Sequence, residues 1–251
     1  MIIAITAQKG GTGKTTTAAT MAAGLTLKGY KALLIDLDQQ GSLSFICKAD
    51  ATGKTTLGIL TREITAEEAI QPVEIADIIP ANKALAGAEA VLKETGGEYR
   101  LKEALEPIKG KYDFIIIDCP PALGSLTINA LTAADKVIVP AQADVLSLAG
   151  ITQLYDSCKL VKKYTNKELE IAGILLAKHS NRAVLKRDLE EVLREQLSQQ
   201  MQSRVYTATI REAVAINEAQ YMQQSIFNYA GNSKVAEDYR AFIEEFLQDI
   251  K

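Results

Sequence analysis

The segment "ITAQKGGTGKTTT", residues 5–17, carries the strongest signal in this chain. A short apolar run, residues 2–7, leads directly into three glycines, and a helical pattern opens at Lys14. Strand, glycine loop and helix in that order form a cradle for phosphate. Gly10, Gly11 and Gly13 permit backbone angles that turn successive N–H groups toward an anion. The helix N-terminus adds its dipole and its free amides. In such a cradle Lys14 reaches the β- and γ-phosphates of a nucleotide, and the Thr15 hydroxyl ligates Mg²⁺. The strict Gly-x-x-x-x-Gly-Lys-Thr spacing is not met, because Gln8 stands where its first glycine belongs. An additional lysine, Lys9, precedes Lys14 on the wrong side of the loop to serve the same nucleotide easily. From the residues alone it is either a solvated loop lysine or one that points across a dimer interface to a partner's phosphates.

Outward from this segment, further short apolar runs follow: "KALLIDLD" (31–38), "YDFIIIDCP" (112–120), "ADKVIVPAQ" (134–142) and "LEIAGILLAK" (169–178). Each is rich in Ile, Leu and Val and apolar on both faces, as strands buried in a parallel sheet are. "ADIIPA" (76–81) reads as a further short strand. Helical patterns lie between them, over 14–28, 83–94, 98–108, 124–133, 147–163 and 182–200. Strands alternating with helices predict an α/β fold, a doubly wound, mostly parallel sheet flanked by helices. The polar stretch 48–75 reads as loops and short helices capping the sheet. "NSKVAEDYRAFIEEFLQDIK" (232–251) reads as one amphipathic helix, with Val235, Tyr239, Phe242, Ile243, Phe246 and Ile250 on its apolar stripe. No repeat and no Pro/Gly/Ser linker divides the chain, so a single domain over 1–251 is expected.

The bulk numbers bound the function. The 251 residues are 47% hydrophobic, enough for a sizeable core, and the net charge of −3 gives no global pull toward nucleic acid or anionic lipid. Any such binding needs a local basic patch. The three cysteines, Cys47, Cys119 and Cys158, are widely spaced and form no CxxC, which predicts reduced structural thiols. The chain opens on a strand-like "MIIAITA" with no basic leader, and no apolar run approaches the ~18 residues of a membrane span. A cytoplasmic protein is the expectation.

Two further segments belong with the cradle. "LLIDLDQQGSLS" (33–44) ends a strand with Asp36 and Asp38, two apart and so on one face. At a strand's carboxyl end one acid can hold the Mg²⁺ shell and the other orient an attacking water. "FIIIDCPPALG" (114–124) is an apolar strand ending in Asp118, the Walker B pattern, placing that carboxylate at Mg²⁺ through water.

"KGGTGKTT" (9–16) resembles the deviant Walker A motif of the ParA/Soj–MinD ATPases. The resemblance extends to "DLDQQG" (36–41), "DCPP" (118–121), "ALAGAEAVL" (84–92) and "VIVPAQADVLSLAG" (137–150), and more loosely to 207–229. It implies a P-loop ATPase with ATP and Mg²⁺ as cofactors, held by the loop residues Lys9, Gly10, Gly11, Thr12, Gly13, Lys14, Thr15 and Thr16. It implies that Lys9 acts in trans in an ATP-sandwiched homodimer, that Asp38 positions the water, and that Asp36 supports the metal side with Thr15 and Asp118. Gln39 stands where the family has proline, and Arg211, Glu212 and Ala213 stand where it often has Pro, Arg and Asn.

The resemblance further implies slow hydrolysis stimulated by a ParB-type adaptor, nonspecific DNA binding, nucleoid association with ATP, and segregation of plasmid or chromosome. From 178 to 211 seven basic residues face four acidic ones. Lys186, Arg187 and Arg211 are the expected DNA contacts. The acidic C-terminal stretch argues against a membrane partner. The alternative is a related ATPase switch that positions a protein complex without DNA. A reductase of the nitrogenase iron-protein type is disfavoured, since Cys119 and Cys158 lack the local glycine context of cluster ligands.

Overall fold

The computed structural model describes residues 1–179, 195 and 203–250. Alternation along the central strands builds two apolar faces at once. In β1 (Ile2–Ile5), Ile2 and Ala4 enter one core while Ile3 and Ile5 enter the other. β2 (Ala32–Asp36) and β5 (Phe114–Asp118) behave alike, with Leu33, Ile35, Ile115 and Ile117 on the first face and Leu34, Phe114 and Ile116 on the second. All fourteen residues of these strands are buried. A strand apolar on both faces is stable only with helices covering both.

The sheet completes itself with β3 (Gln71–Pro72), β4 (Asp77–Ile79), β6 (Lys136–Ala141), β7 (Glu170–His179) and β8 (Val205–Arg211). Its order among the described residues is β3-β4-β2-β5-β1-β6-β7-β8, parallel throughout except for the β3–β4 pair. The doubly wound, mostly parallel sheet expected from the strand–helix alternation is therefore present. β1 lies between β5 and β6, and Asp118 pairs in register with both Ile5 and Asp36. The carboxyl ends of the three strands that bear the loop and the acids thus lie side by side.

The second face is covered by α1 (Lys14–Leu27) and by the last helices of the chain. Helix 232–251 of the sequence reading is observed over Lys234–Asp249, with Val235, Tyr239, Phe242, Ile243 and Phe246 all buried. Ile250, the C-cap, ends the stripe partly buried against the same core. The ring of Phe242 meets Tyr206 edge-on at 5.0 Å between centroids, which docks this helix on β8. The other face carries α3 (Thr56–Thr61), α5 (Ala88–Leu92), α6 (Arg100–Leu105), α7 (Ser125–Ala133) and α8 (Val145–Tyr164).

Some expectations shift. The helix expected over 83–94 is a 3₁₀ turn, Lys83–Gly87, followed by α5. That expected over 98–108 is a 3₁₀ turn, Gly97–Tyr99, followed by α6. β8 carries no clear strand signal in the sequence, because an edge strand buries little: only Tyr206 and Ile210 are fully covered. The short capping helices expected in 48–75 are α3 and α4 (Ala66–Ala69). The helix expected over 182–200 lies outside the described residues, Glu195 apart. All three cysteines are buried and free.

Candidate active site

Residues 6–13 connect β1 to α1 as a loop over the sheet's carboxyl edge. Gly11 (φ +74°) and Gly13 (φ +91°) adopt the left-handed backbone that side-chain-bearing residues rarely take. Gly10 does not, so its expected conformational role falls to the other two. Gly13 is the N-cap of α1 and supplies no side-chain acceptor, and the first turn contains no acid. The leading amides of α1 are thus left for an outside anion. Thr12 is buried and its hydroxyl donates to the Lys9 carbonyl at 3.3 Å. Gln142, beyond the end of β6, donates to the Gly11 carbonyl at 3.2 Å and ties the loop to the sheet.

The first residue of α1, Lys14, is buried, and burial depresses its pKa below the ordinary lysine value. The carboxylates of Asp118 and Asp38 push in the opposite direction. Asp118 is fully buried at the end of β5. Its pKa is raised well above the usual carboxylate range, first by burial and next by Asp36, while Thr15 and Lys14 lower it. Neither Asp118 oxygen has a hydrogen-bond partner within bonding geometry. An orphaned buried carboxylate costs several kcal/mol unless a cation or donor meets it, on the order of the penalty for an unpaired buried charge. Set beside a threonine hydroxyl and a lysine, this donor set fits a hard cation such as Mg²⁺.

Asp36 stands next to it but is already engaged. One oxygen accepts from the Ser44 amide at 2.8 Å and the Ser44 hydroxyl at 2.6 Å. The other accepts from the Asp38 amide at 3.1 Å. Burial lifts its pKa to about 6 even though the Ser44 bonds pull it down. Ser44 in turn accepts from the Ala81 amide at 2.8 Å, so Asp36 joins β2, α2 (Ser42–Ile46) and the end of β4. Asp38 folds onto its own loop, its Oδ1 accepting from the Gln40 amide at 3.0 Å. Gly41 then turns the chain with φ +64°, where a Cβ would sit 2.9 Å from the Ala81 carbonyl oxygen.

The site also contains a group from the far end of the chain. The Thr16 hydroxyl accepts from Gln220 Nε2 at 2.7 Å, Gln220 lying on α9 (Val214–Tyr221). Lys9 is partnered within its own chain: its Nζ lies 2.6 Å from Asp144 Oδ2 and 3.5 Å from Gln142 Oε1. Asp144 is also the N-cap of α8, accepting from the Ser147 amide at 2.9 Å.

The structure therefore brings Lys14, Thr15, Asp36, Asp38 and Asp118 to one edge, with Lys9 at its border. Of the three basic residues read as DNA contacts, Lys186 and Arg187 lie outside the described residues. Arg211 is not a free cation, as its Nε and Nη2 each lie 2.7 Å from an Asp238 oxygen. Sequence reasoning did not single out Ser44, Gln142, Asp144 or Gln220. Asp144 alone left a local signal, an acid three residues before Ser147 at a helix start.

A family model described as an AAA domain matches residues 1–171. The chain is 41% identical over 250 residues to the sporulation initiation inhibitor protein Soj of Bacillus subtilis, covering 97% of each chain. It is 37% identical to the chromosome partitioning protein ParA of Myxococcus xanthus, over 98% of this chain and 88% of that one. Among solved structures, a cobyrinic acid a,c-diamide synthase from Mycobacterium smegmatis with bound ATP analogue and magnesium superposes with a TM-score of 0.85. That protein is 34% identical, over 98% of this chain and 94% of its own.

Proposed function

Because this chain belongs to the ParA/Soj family, we propose that it is a Mg-ATP-dependent partition switch. Its whole length would act as one ATPase domain that binds ATP, pairs around two nucleotides and, in that state, binds DNA nonspecifically. Hydrolysis, accelerated by a ParB-type adaptor, would release it, and the cycle would move plasmid or chromosome. The observation that carries this reading is the buried, unpartnered Asp118 beside Lys14, at the foot of a loop with two left-handed glycines.

The chain's own groups divide the work. The uncapped amides of α1 and the Lys14 ammonium would bind the β- and γ-phosphates. Thr15 and Asp118, with Asp36 behind them, would hold Mg²⁺, which neutralises phosphate charge. Asp38 would orient the attacking water in line with the γ-phosphorus. Lys9 of a second copy would offset charge that develops in the transition state, where a preplaced cation is worth most. For Lys9 to do so, it must first leave Asp144.

The test is binding to random-sequence duplex DNA with ATP, ADP or no nucleotide, across a salt series, with Lys14→Ala alongside. Salt-sensitive binding that requires ATP and vanishes in the variant supports the switch. ATP-dependent dimers that ignore DNA would replace it with a switch that positions a protein complex.

A further inference from the structure

The end of α8 and the turn after it, "KLVKKYTNK" (159–167), contain four lysines and no acid in a chain of net charge −3. Cys158 and Val161 point into the core. Lys159, Leu160, Lys162, Lys163, Tyr164 and Lys167 are exposed. A helix C-terminus favours cations, which accounts for a basic last turn. It does not account for Leu160 and Tyr164, which stand among the lysines 58% and 66% exposed.

Ion pairing does not absorb this charge. Lys159 approaches Asp156 only to 3.9 Å, and Lys162, Lys163 and Lys167 have no carboxylate in ion-pair reach among the described residues. Glu170, which begins β7 across the groove from Lys162, is bonded to Lys136. Two of the ammonium groups are instead held over rings, Lys159 at 4.2 Å from the Tyr155 centroid and Lys163 at 4.9 Å from that of Tyr164.

We propose that this face docks the sugar-phosphate backbone of duplex DNA. The inference rests on the DNA-binding reading above and gives it a surface other than Lys186, Arg187 and Arg211. Lys159 and Lys163 are one turn apart, about 6 Å along the helix axis, and Lys167 extends the row into the following turn. A row of ammonium groups at that spacing, of which only Lys159 is loosely paired, with Asp156, meets successive phosphates of one strand, and each contact releases condensed counterions. Lysine suits this, because a point charge on a flexible stem reads phosphate without base geometry. Leu160 and Tyr164 are too little apolar surface to enter a bilayer from a helix whose opposite face is buried, so DNA is assigned over anionic lipid.

The experiment is fluorescence anisotropy of a labelled random-sequence duplex with the full chain and a non-hydrolysable ATP analogue, across a salt series. Wild type is compared with the triple variant Lys159→Gln/Lys162→Gln/Lys163→Gln. A second triple, Lys83→Gln/Lys93→Gln/Lys109→Gln, removes equal charge elsewhere, and nucleotide affinity checks that both are folded. The α8 variant is expected to lose at least about tenfold in affinity, and its log–log salt slope should fall by about 2–3 while the control changes by less than about 1. An α8 variant with wild-type slope overturns the proposal and leaves DNA binding standing. A wild-type protein that binds no DNA under any nucleotide overturns the DNA-binding reading itself, and this surface with it. Lysine-dependent binding to phosphatidylglycerol vesicles without DNA binding overturns the proposal in favour of lipid.

Discussion

Lys9 Nζ and Asp144 Oδ2 lie 2.6 Å apart, so the lysine expected to serve a partner's nucleotide is bonded within its own chain. Both side chains are about one-third exposed, at 32% and 34%. A pair of that kind contributes roughly 0.2–1 kcal/mol, small enough to be exchanged for a phosphate contact.

Asp144→Asn weakens the pair and keeps a side-chain oxygen to cap α8. If dimerisation requires Lys9 to leave Asp144, dimers with a non-hydrolysable ATP analogue should form at about two- to fivefold lower protein concentration than in wild type. Sedimentation velocity measures this, and an unchanged or weaker dimer would show that the pair does not oppose association.

The two loop lysines should separate cleanly. Lys14→Ala is expected to lower nucleotide affinity by at least about a hundredfold, since it removes a buried charge-assisted contact to phosphate. Lys9→Ala should bind ATP as wild type does, yet neither dimerise nor hydrolyse it. Titration calorimetry and a phosphate-release assay read both, and normal turnover in Lys9→Ala would remove the trans role.

Asp118 makes stability depend on pH in an unusual direction. Burial holds its folded pKa well above the usual carboxylate range, and burial likewise lifts that of Asp36, to about 6. A raised carboxylate means that the folded state holds more protons than the unfolded one, so stability falls as pH rises through the interval above the unfolded value of about 3.9. The nucleotide-free protein should therefore melt higher near pH 5 than near pH 8, as far as these groups contribute. Asp118→Asn should raise the nucleotide-free melting temperature at pH 8 by a few degrees and flatten the slope. The same variant should lose the extra stabilisation that Mg²⁺ adds to ATP. Calorimetric melts across pH check each part.

Arg211 and Asp238 test whether that arginine serves DNA or the fold. Asp238→Asn weakens the two-armed pairing that occupies the guanidinium. If Arg211 is a DNA contact, the variant should bind duplex more tightly, with a salt slope steeper by up to about 0.9. If Arg211 serves the fold, DNA binding stays unchanged, and the melting temperature falls by only a few degrees.

Most of the sheet was legible because buried parallel strands write themselves as short Ile/Leu/Val runs, and "FIIID" or "ALLID" has few other readings. β3, two residues long, and β8, with two buried side chains, carry too little apolar signal to stand out. The phosphate loop was legible for a different reason. Its chemistry is local, since glycines, Lys14 and Thr15 act within one turn of backbone and helix start. Asp36 and Asp118 were found by their place at strand ends, but their environments were not. That one is wrapped by Ser44 while the other has no partner depends on how β2, β4 and β5 lie together.

Local order, then, belongs to the sequence alone: the strand–loop–helix of the phosphate cradle, the two-faced strands and the amphipathic C-terminal helix. Each follows from backbone period and side-chain type over a few residues. What only the tertiary structure decided is which charges meet. Lys9 finds Asp144 across 135 positions and Gln220 finds Thr16 across 204, while Arg211 is taken by Asp238. Such pairs carry no periodicity and need no adjacent residues. They exist because a parallel sheet gathers the carboxyl ends of distant strands at one edge, and charges brought there seek the nearest counter-charge.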